Sequence, residues 1–248
     1  MSADRFDGIR IFRREVQNTG TVGGTEATAA GLEAVTANLP GGENADVRTY
    51  LTRTLSERFR EAFFAKAVLI VEGPSDEAIF SAAGELLGIA DLAANGITVV
   101  HVGKGSQPIA LAILRALGIP IYCVFDADAN ATDGEACETC GRQKRNRSSA
   151  EASNRKVLHA LGATEESFPP AAVTETWACF HEELEDAIPG FRNHAAAVAN
   201  EMGWRGKSPE AYGEAVRRVG KAALPAELVE ILEKVMALAQ ATAAAEAG

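Results

Sequence analysis

The sequence predicts an α/β fold: a parallel sheet flanked by helices, with an additional helical region toward the C-terminus. Three observations carry this expectation. Short apolar runs rich in β-branched residues recur at Ala67–Val71, Ile97–Val102 and Ile119–Phe125. Such runs, bounded by turn residues, read as buried parallel strands. The stretches between them are long enough for helices, so strand and helix alternate, and crossovers of that kind are right-handed. Finally, the first and third runs each end in acids, Glu72-Gly73-Pro74-Ser75-Asp76 and Asp126-Ala127-Asp128. Open α/β sheets place their ligands at the carboxyl ends of strands.

Taken in order, the chain opens with a charged, strand-like stretch around Ile9-Arg10-Ile11-Phe12. Residues 19–46 are rich in Gly, Thr and Ala, with a short helix expected over Thr25–Ala37 and a break at Pro40-Gly41-Gly42. Asp46–Phe64 reads as an amphipathic helix, with Tyr50, Leu51, Leu55, Phe59, Phe63 and Phe64 on or near one face. After the first strand, Ser75 is the expected N-cap of a helix to about Leu87. Gly103-Lys104-Gly105-Ser106 is a tight turn before a helix ending near Leu117. Residues 129–145 are polar and irregular, part of an insertion reaching to about 170. A helix is expected from Ser148 to Leu161, a strand over Thr174–Phe180, and a helix from near Glu182. The remainder is alanine-rich and helical, broken at Gly203–Pro209 and at Pro225, with a frayed end. The expected organisation is therefore 1–64 as an N-terminal strand, loop and helix, 65–190 as the domain carrying the acids, and 191–248 as a helical region.

Composition narrows the class. Of 248 residues 47% are hydrophobic and 23% charged, which suits an ordinary soluble core. No apolar run approaches the roughly 18–20 residues of a membrane span, and the charged N-terminus lacks the apolar core of a signal peptide, so the cytoplasm is the expected location. A formal net charge of −10 argues against binding nucleic acid by bulk charge. A local basic cluster, Arg142, Lys144, Arg145 and Arg147, nevertheless follows the second acidic motif and is a candidate for phosphate contacts. Cys137 and Cys140 form one Cys-x-x-Cys, for which zinc would need two more ligands, Cys179 and His181 being nearest. Ordinary reduced thiols are the simpler reading.

The acids themselves suggest chemistry. Glu72 is a candidate metal ligand or base, and Asp76 lies near the first turn of the following helix, where it can face the same cavity. Asp126 and Asp128 would point the same way in an extended segment and could grip one ion. Several carboxylates brought together repel one another unless a cation holds them, and Mg²⁺ takes oxygen ligands of this kind.

A glutamate after one strand and Asp-x-Asp after a later one resembles the TOPRIM domain of topoisomerases, primases and related nucleases. The longer Val71-Glu72-Gly73-Pro74-Ser75-Asp76-Glu77 resembles the nucleases of the OLD (overcoming lysogenization defect) family in their C-terminal TOPRIM region. The Leu184-Glu185 pair and Lys207 resemble later motifs of that family, and the resemblance spans roughly 60–215. It implies a metal-dependent DNA endonuclease with two divalent ions, Mg²⁺ or Mn²⁺. These would be held by Glu72, Asp76, Asp126, Asp128 and Glu185, with Lys207 stabilising charge at the phosphate. Ser2-Ala3-Asp4-Arg5-Phe6-Asp7 resembles the segment following the ATPase core of such proteins, and the chain has no Gly-x-x-x-x-Gly-Lys-Ser/Thr loop. The expected partners are thus DNA and an ATPase domain of the same full-length protein, through which a homodimer could form. Two other functions compete: a primase-type nucleotidyl transferase, and a non-catalytic regulatory or assembly module. A topoisomerase would require a catalytic tyrosine, and Tyr50, Tyr122 and Tyr212 have no recognisable context.

Overall fold

The structure, a computed structural model, describes residues 10–16, 22–29, 32–36, 39, 57–89, 92–132, 146–204 and 208–247. It opens on an antiparallel hairpin, β1 (Arg10–Val16) and β2 (Val22–Ala29), paired from Arg10↔Ala29 to Val16↔Val22. The helix expected from Thr25 is confined to α1 (Leu32–Thr36). A short Gly- and Thr-rich segment is a marginal helix on its own, whereas β1 offers it a full ladder. α2 (Glu57–Glu61) runs into a 3₁₀ turn at Ala62–Phe64. Phe59 and Phe63 are buried there and meet edge to face at 5.7 Å. Phe64, expected on the apolar face, is 90% exposed, because the tighter turn swings it off that face. The expected positions Tyr50, Leu51 and Leu55 lie outside the described residues.

The central sheet follows the predicted alternation. β3 (Ala67–Val71) leads to α3 (Pro74–Leu87), β4 (Ile97–His101) to α4 (Gln107–Ala116), and β5 (Ile121–Asp126) to α5 (Arg147–Leu161). The single strand expected over Thr174–Phe180 is instead a small antiparallel pair, β6 (Ala172–Val173) and β7 (Trp177–Phe180). Thr174 makes the turn: its Oγ1 donates to the Trp177 carbonyl and accepts from the Trp177 amide. The five strands lie in the order β4-β3-β5-β7-β6, all parallel except β6. Among the described residues, four α-helices follow: α6 (Leu184–Ala187), α7 (Phe191–Glu201), α8 (Pro209–Val219) and α9 (Ala226–Ala247).

Strand alternation sorts the core into two faces. Leu69, Val71, Tyr122 and Val124 pack with Ile79 and Phe80 of α3 and with Leu228, Ile231, Leu232 and Val235 of α9. Val68, Ile70 and Val100 pack on the other face with Leu111, Ile113 and Leu114 of α4 and with Phe59. β3 is buried along its whole length, as the centre of such a sandwich requires. The helices after residue 191 thus share their core with the sheet. α9, whose end was expected to fray, stays helical to Ala247, and Thr242 Oγ1 donates to the Lys66 carbonyl at 3.0 Å.

Candidate metal and catalytic site

β3 connects onward to β4 on one side, while β5 lies on its other side, so the chain reverses its direction of winding between β3 and β5. That is a topological switch point, where open sheets form their binding crevice. The β3–β4 ladder continues to Val71↔His101, but the β3–β5 ladder stops at Ile70↔Cys123. Side chains take over where the backbone pairing ends. Gln107 Nε2 donates to the Val124 carbonyl at 2.9 Å, the Asp126 amide donates to Glu72 Oε1 at 3.0 Å, and Lys104 Nζ donates to the Asp126 carbonyl. Glu72 and Asp126 therefore stand at neighbouring strand ends, as the sequence pattern implied.

The remaining acids gather around them. α3 is capped by Gly73 rather than by the expected Ser75, because Pro74 occupies the first helical position, where a missing N–H costs nothing. Asp76 Oδ2 reaches back to accept from the Gly73 amide at 2.8 Å. Glu185, on α6, is only 3% exposed. Asp126 Oδ1 accepts the Leu184 amide at 3.0 Å, at the start of the same helix. Burial holds the Asp126 carboxyl well above the usual carboxylate range, and the neighbouring charges of Glu72, Asp76, Glu185 and Asp128 raise it further. The acids therefore converge electrostatically on Asp126.

Asp128 departs from expectation. Its φ is +52°, so the chain is not extended through the motif and the two aspartates do not repeat one geometry. Asp tolerates this left-handed conformation better than most residues. The turn is anchored on both sides. The amides of Ala127, Asp128 and Ala129 donate to the carbonyls of Phe180, Glu182 and His181 at 2.7, 3.3 and 3.0 Å. Asn154 Nδ2, buried on α5, donates to the carbonyls of Ala127 at 2.8 Å and Ser167 at 2.6 Å.

Sequence reasoning missed Lys104. It is fully buried, and its ammonium lies 2.8 Å from Asp128 Oδ2 and 3.7 Å from Glu72 Oε1, besides its bond to the Asp126 carbonyl. The stem passes the Phe125 ring, with Nζ 5.9 Å from its centroid. The signal was a lysine between two glycines at the carboxyl end of β4. The turn was recognised, but not the direction of its side chain. Gln107 and Asn154 gave no signal, since their partners are carbonyls 17 and 27 residues away in sequence.

Other expected residues stand apart or beyond description. Lys207, Arg142, Lys144, Arg145, Cys137 and Cys140 lie outside the described residues. Arg147, at the start of α5, stacks over Phe168 at 4.1 Å and pairs with Glu151 at 3.6 Å. Cys179 is buried in β7, and His181 Nδ1 lies 3.0 Å from the Pro169 carbonyl. His101 pairs with Glu77 at 2.7 Å beside the crevice. Tyr122 donates its hydroxyl to the Thr174 and Trp177 carbonyls in the core, and Tyr212 packs edge to face on Phe191. Neither of these two tyrosines is presented as a nucleophile, and Tyr50 is outside the described residues.

Glu72, Asp76, Asp126, Asp128 and Glu185 offer only oxygen donors, and together they outnumber the one ammonium among them. That donor chemistry fits a hard divalent cation. Among the described residues no three His, Cys, Asp or Glu side chains already stand in ligating geometry. Glu72, Asp76, Asp126 and Asp128 instead accept from donors of the chain itself.

A mostly parallel sheet with acids at the carboxyl ends of two adjacent strands defines an α/β domain with an acidic crevice. Residues 63–128 match the overcoming lysogenization defect protein-like TOPRIM domain family, a class of domain that generally binds divalent metals. Among solved structures, the chain is similar to the C-terminal region of the Xanthomonas campestris pv. campestris OLD protein. The identity is 18% and the TM-score 0.48, over 74% of this chain and 98% of that one. It is also similar to the C-terminal region of the Burkholderia pseudomallei OLD protein, at 20% identity and a TM-score of 0.45, over 72% of this chain and 99% of that one. No curated protein matches the chain. Among the described residues no helix is long and apolar enough to cross a membrane.

Proposed function

We propose that the protein is a metal-dependent DNA endonuclease that hydrolyses phosphodiester bonds at the crevice between β3 and β5. The observation that carries this reading is that Glu72, Asp126 and Asp128 are tied together at adjacent strand ends, with the charges of Asp76 and Glu185 beside half-buried Asp126, in a stretch matching the TOPRIM family. These five residues would hold Mg²⁺ or Mn²⁺, and the family resemblance favours two ions. Bound there, the metal would supply an activated water and charge stabilisation at the leaving oxygen. Glu72, whose Oε1 accepts the Asp126 amide at the crevice, would orient or deprotonate that water. Lys207 is assigned by resemblance to the transition-state charge on the phosphate. Arg147 and the basic segment before it would receive the DNA backbone, entering beside α5, whose Asn154 touches the Asp-x-Asp turn. The same resemblance assigns an ATPase domain as the partner within a longer protein.

The burial of Tyr122 and the packing of Tyr212 favour hydrolysis over a topoisomerase-type covalent tyrosine intermediate. The test is conversion of supercoiled plasmid to nicked or linear DNA with Mg²⁺ or Mn²⁺, and with EDTA as control. Cleavage should need the metal but not ATP. Asp128→Asn should abolish it, and Lys207→Ala should slow it by about 10²–10³, the usual loss when one transition-state contact is removed. Metal-independent or absent cleavage by the folded protein would sink the nuclease reading and leave the assembly-module alternative.

A further inference from the structure

We propose that Lys104 is the built-in counter-ion of the acidic cluster, a positioning residue whose ammonium holds the Asp-x-Asp turn in its assembled shape before any divalent ion binds. Four observations converge on this. The side chain is fully buried, and a buried ammonium is tolerated only when paired and hydrogen-bonded. Its ammonium donates to the Asp126 carbonyl and to Asp128 Oδ2 at 2.8 Å, and it forms a longer ion pair with Glu72 Oε1 at 3.7 Å, so it reaches different parts of the site. Those partners come from β5, the turn after β5 and the end of β3, so the lysine ties together the strand ends whose direct ladder stops at Ile70↔Cys123. Asp128 sits at φ +52°, a conformation that needs its surroundings to hold it, and Lys104 grips both its carboxylate and the carbonyl two residues before it. All three of these partners belong to the proposed metal set; Lys104 itself does not, and its role does not depend on catalysis.

The experiment is a double-mutant cycle read by thermal melting in EDTA, using Lys104→Met, Asp128→Asn and the double variant, with Mg²⁺ added in a second arm. Methionine keeps the length of the apolar stem and removes the charge. Breaking a buried pair from one side is strongly destabilising, so Lys104→Met should melt about 10 °C below the parent in EDTA. Adding Asp128→Asn should restore much of that loss, since the abandoned charge is then gone, and a packing role alone would give no such restoration. Mg²⁺ should raise the melting temperature of Lys104→Met more than that of the parent. An unchanged melting temperature in Lys104→Met would overturn the proposal. So would a double variant whose losses simply add, or one that fails to fold alongside Lys104→Met. The EDTA cycle involves neither metal nor DNA, so the role of Lys104 stands or falls there independently of the nuclease reading.

Discussion

Asp126 carries two tasks that oppose each other in the metal-free protein. Its Oδ1 receives the Leu184 amide and so fixes the entry into α6, while its half-buried carboxyl lies among other acids. In the unfolded chain it titrates as an ordinary aspartate, at about 3.9. In the folded, metal-free protein it holds its proton to higher pH. The native state therefore binds more protons than the unfolded state between these two values, and stability falls as pH rises through that window. Asp126→Asn keeps the acceptor for Leu184 and removes the charge. In EDTA at neutral pH the variant should melt higher than the parent, by roughly 2–4 °C for each kcal/mol recovered. Its melting temperature should depend less on pH, and titration calorimetry should find its Mg²⁺ binding lost. A variant that melts lower and still binds Mg²⁺ like the parent would remove Asp126 from the centre of the site.

At the level of elements, the site is made by strand ends that part and by side chains that replace the missing ladder. Asn154 is the clearest case, since one amide group serves two carbonyls, Ala127 within the Asp-x-Asp turn and Ser167 in the segment after α5. Replacing it with alanine leaves both carbonyls without this donor. At about 1–3 kcal/mol for each unsatisfied buried group, Asn154→Ala should lower the urea-unfolding free energy measurably. It should also weaken Mg²⁺ binding, because the turn that presents Asp128 loses its tether to α5. Unaltered Mg²⁺ affinity in a destabilised Asn154→Ala protein would show that the turn holds its shape without the α5 tether, through its bonds to the carbonyls of Phe180, His181 and Glu182. The acids at these strand ends were legible from sequence because each directly follows an apolar run. Their tethers were not, since Gln107 and Asn154 differ from surface amides only in what the fold brings against them.

In the whole molecule, α9 couples the C-terminal helices to the sheet that carries the acids. Leu228, Ile231, Leu232 and Val235 are fully buried and share a core with Leu69, Val71 and Tyr122. Leu232→Ala should cost about 2–5 kcal/mol, the range for a leucine deleted from a tight core. A single cooperative transition that moves down as a unit in thermal melting is expected. Two separate transitions would mean that the helices after 191 fold on a core of their own.

Local pattern was enough for the order of strands and helices in the central sheet, the break at Pro225, and the acids at the ends of β3 and β5. Those features depend on periodicity and turn chemistry between residues close in the chain. Contacts distant in sequence decided the rest. Thr25–Ala29 became a strand because β1 offered it a ladder, and Thr174 became a turn because Ala178 and Cys179 could pair back on Val173 and Ala172. Asp128 took a left-handed conformation among partners supplied by the turn after β4 and by the segment ending β7. Lys104 shows the division most clearly: its sequence context marks only a turn. Its direction, burial and partners exist only once β3, β4 and β5 lie side by side, because a buried ammonium is defined by the charges that the fold places around it.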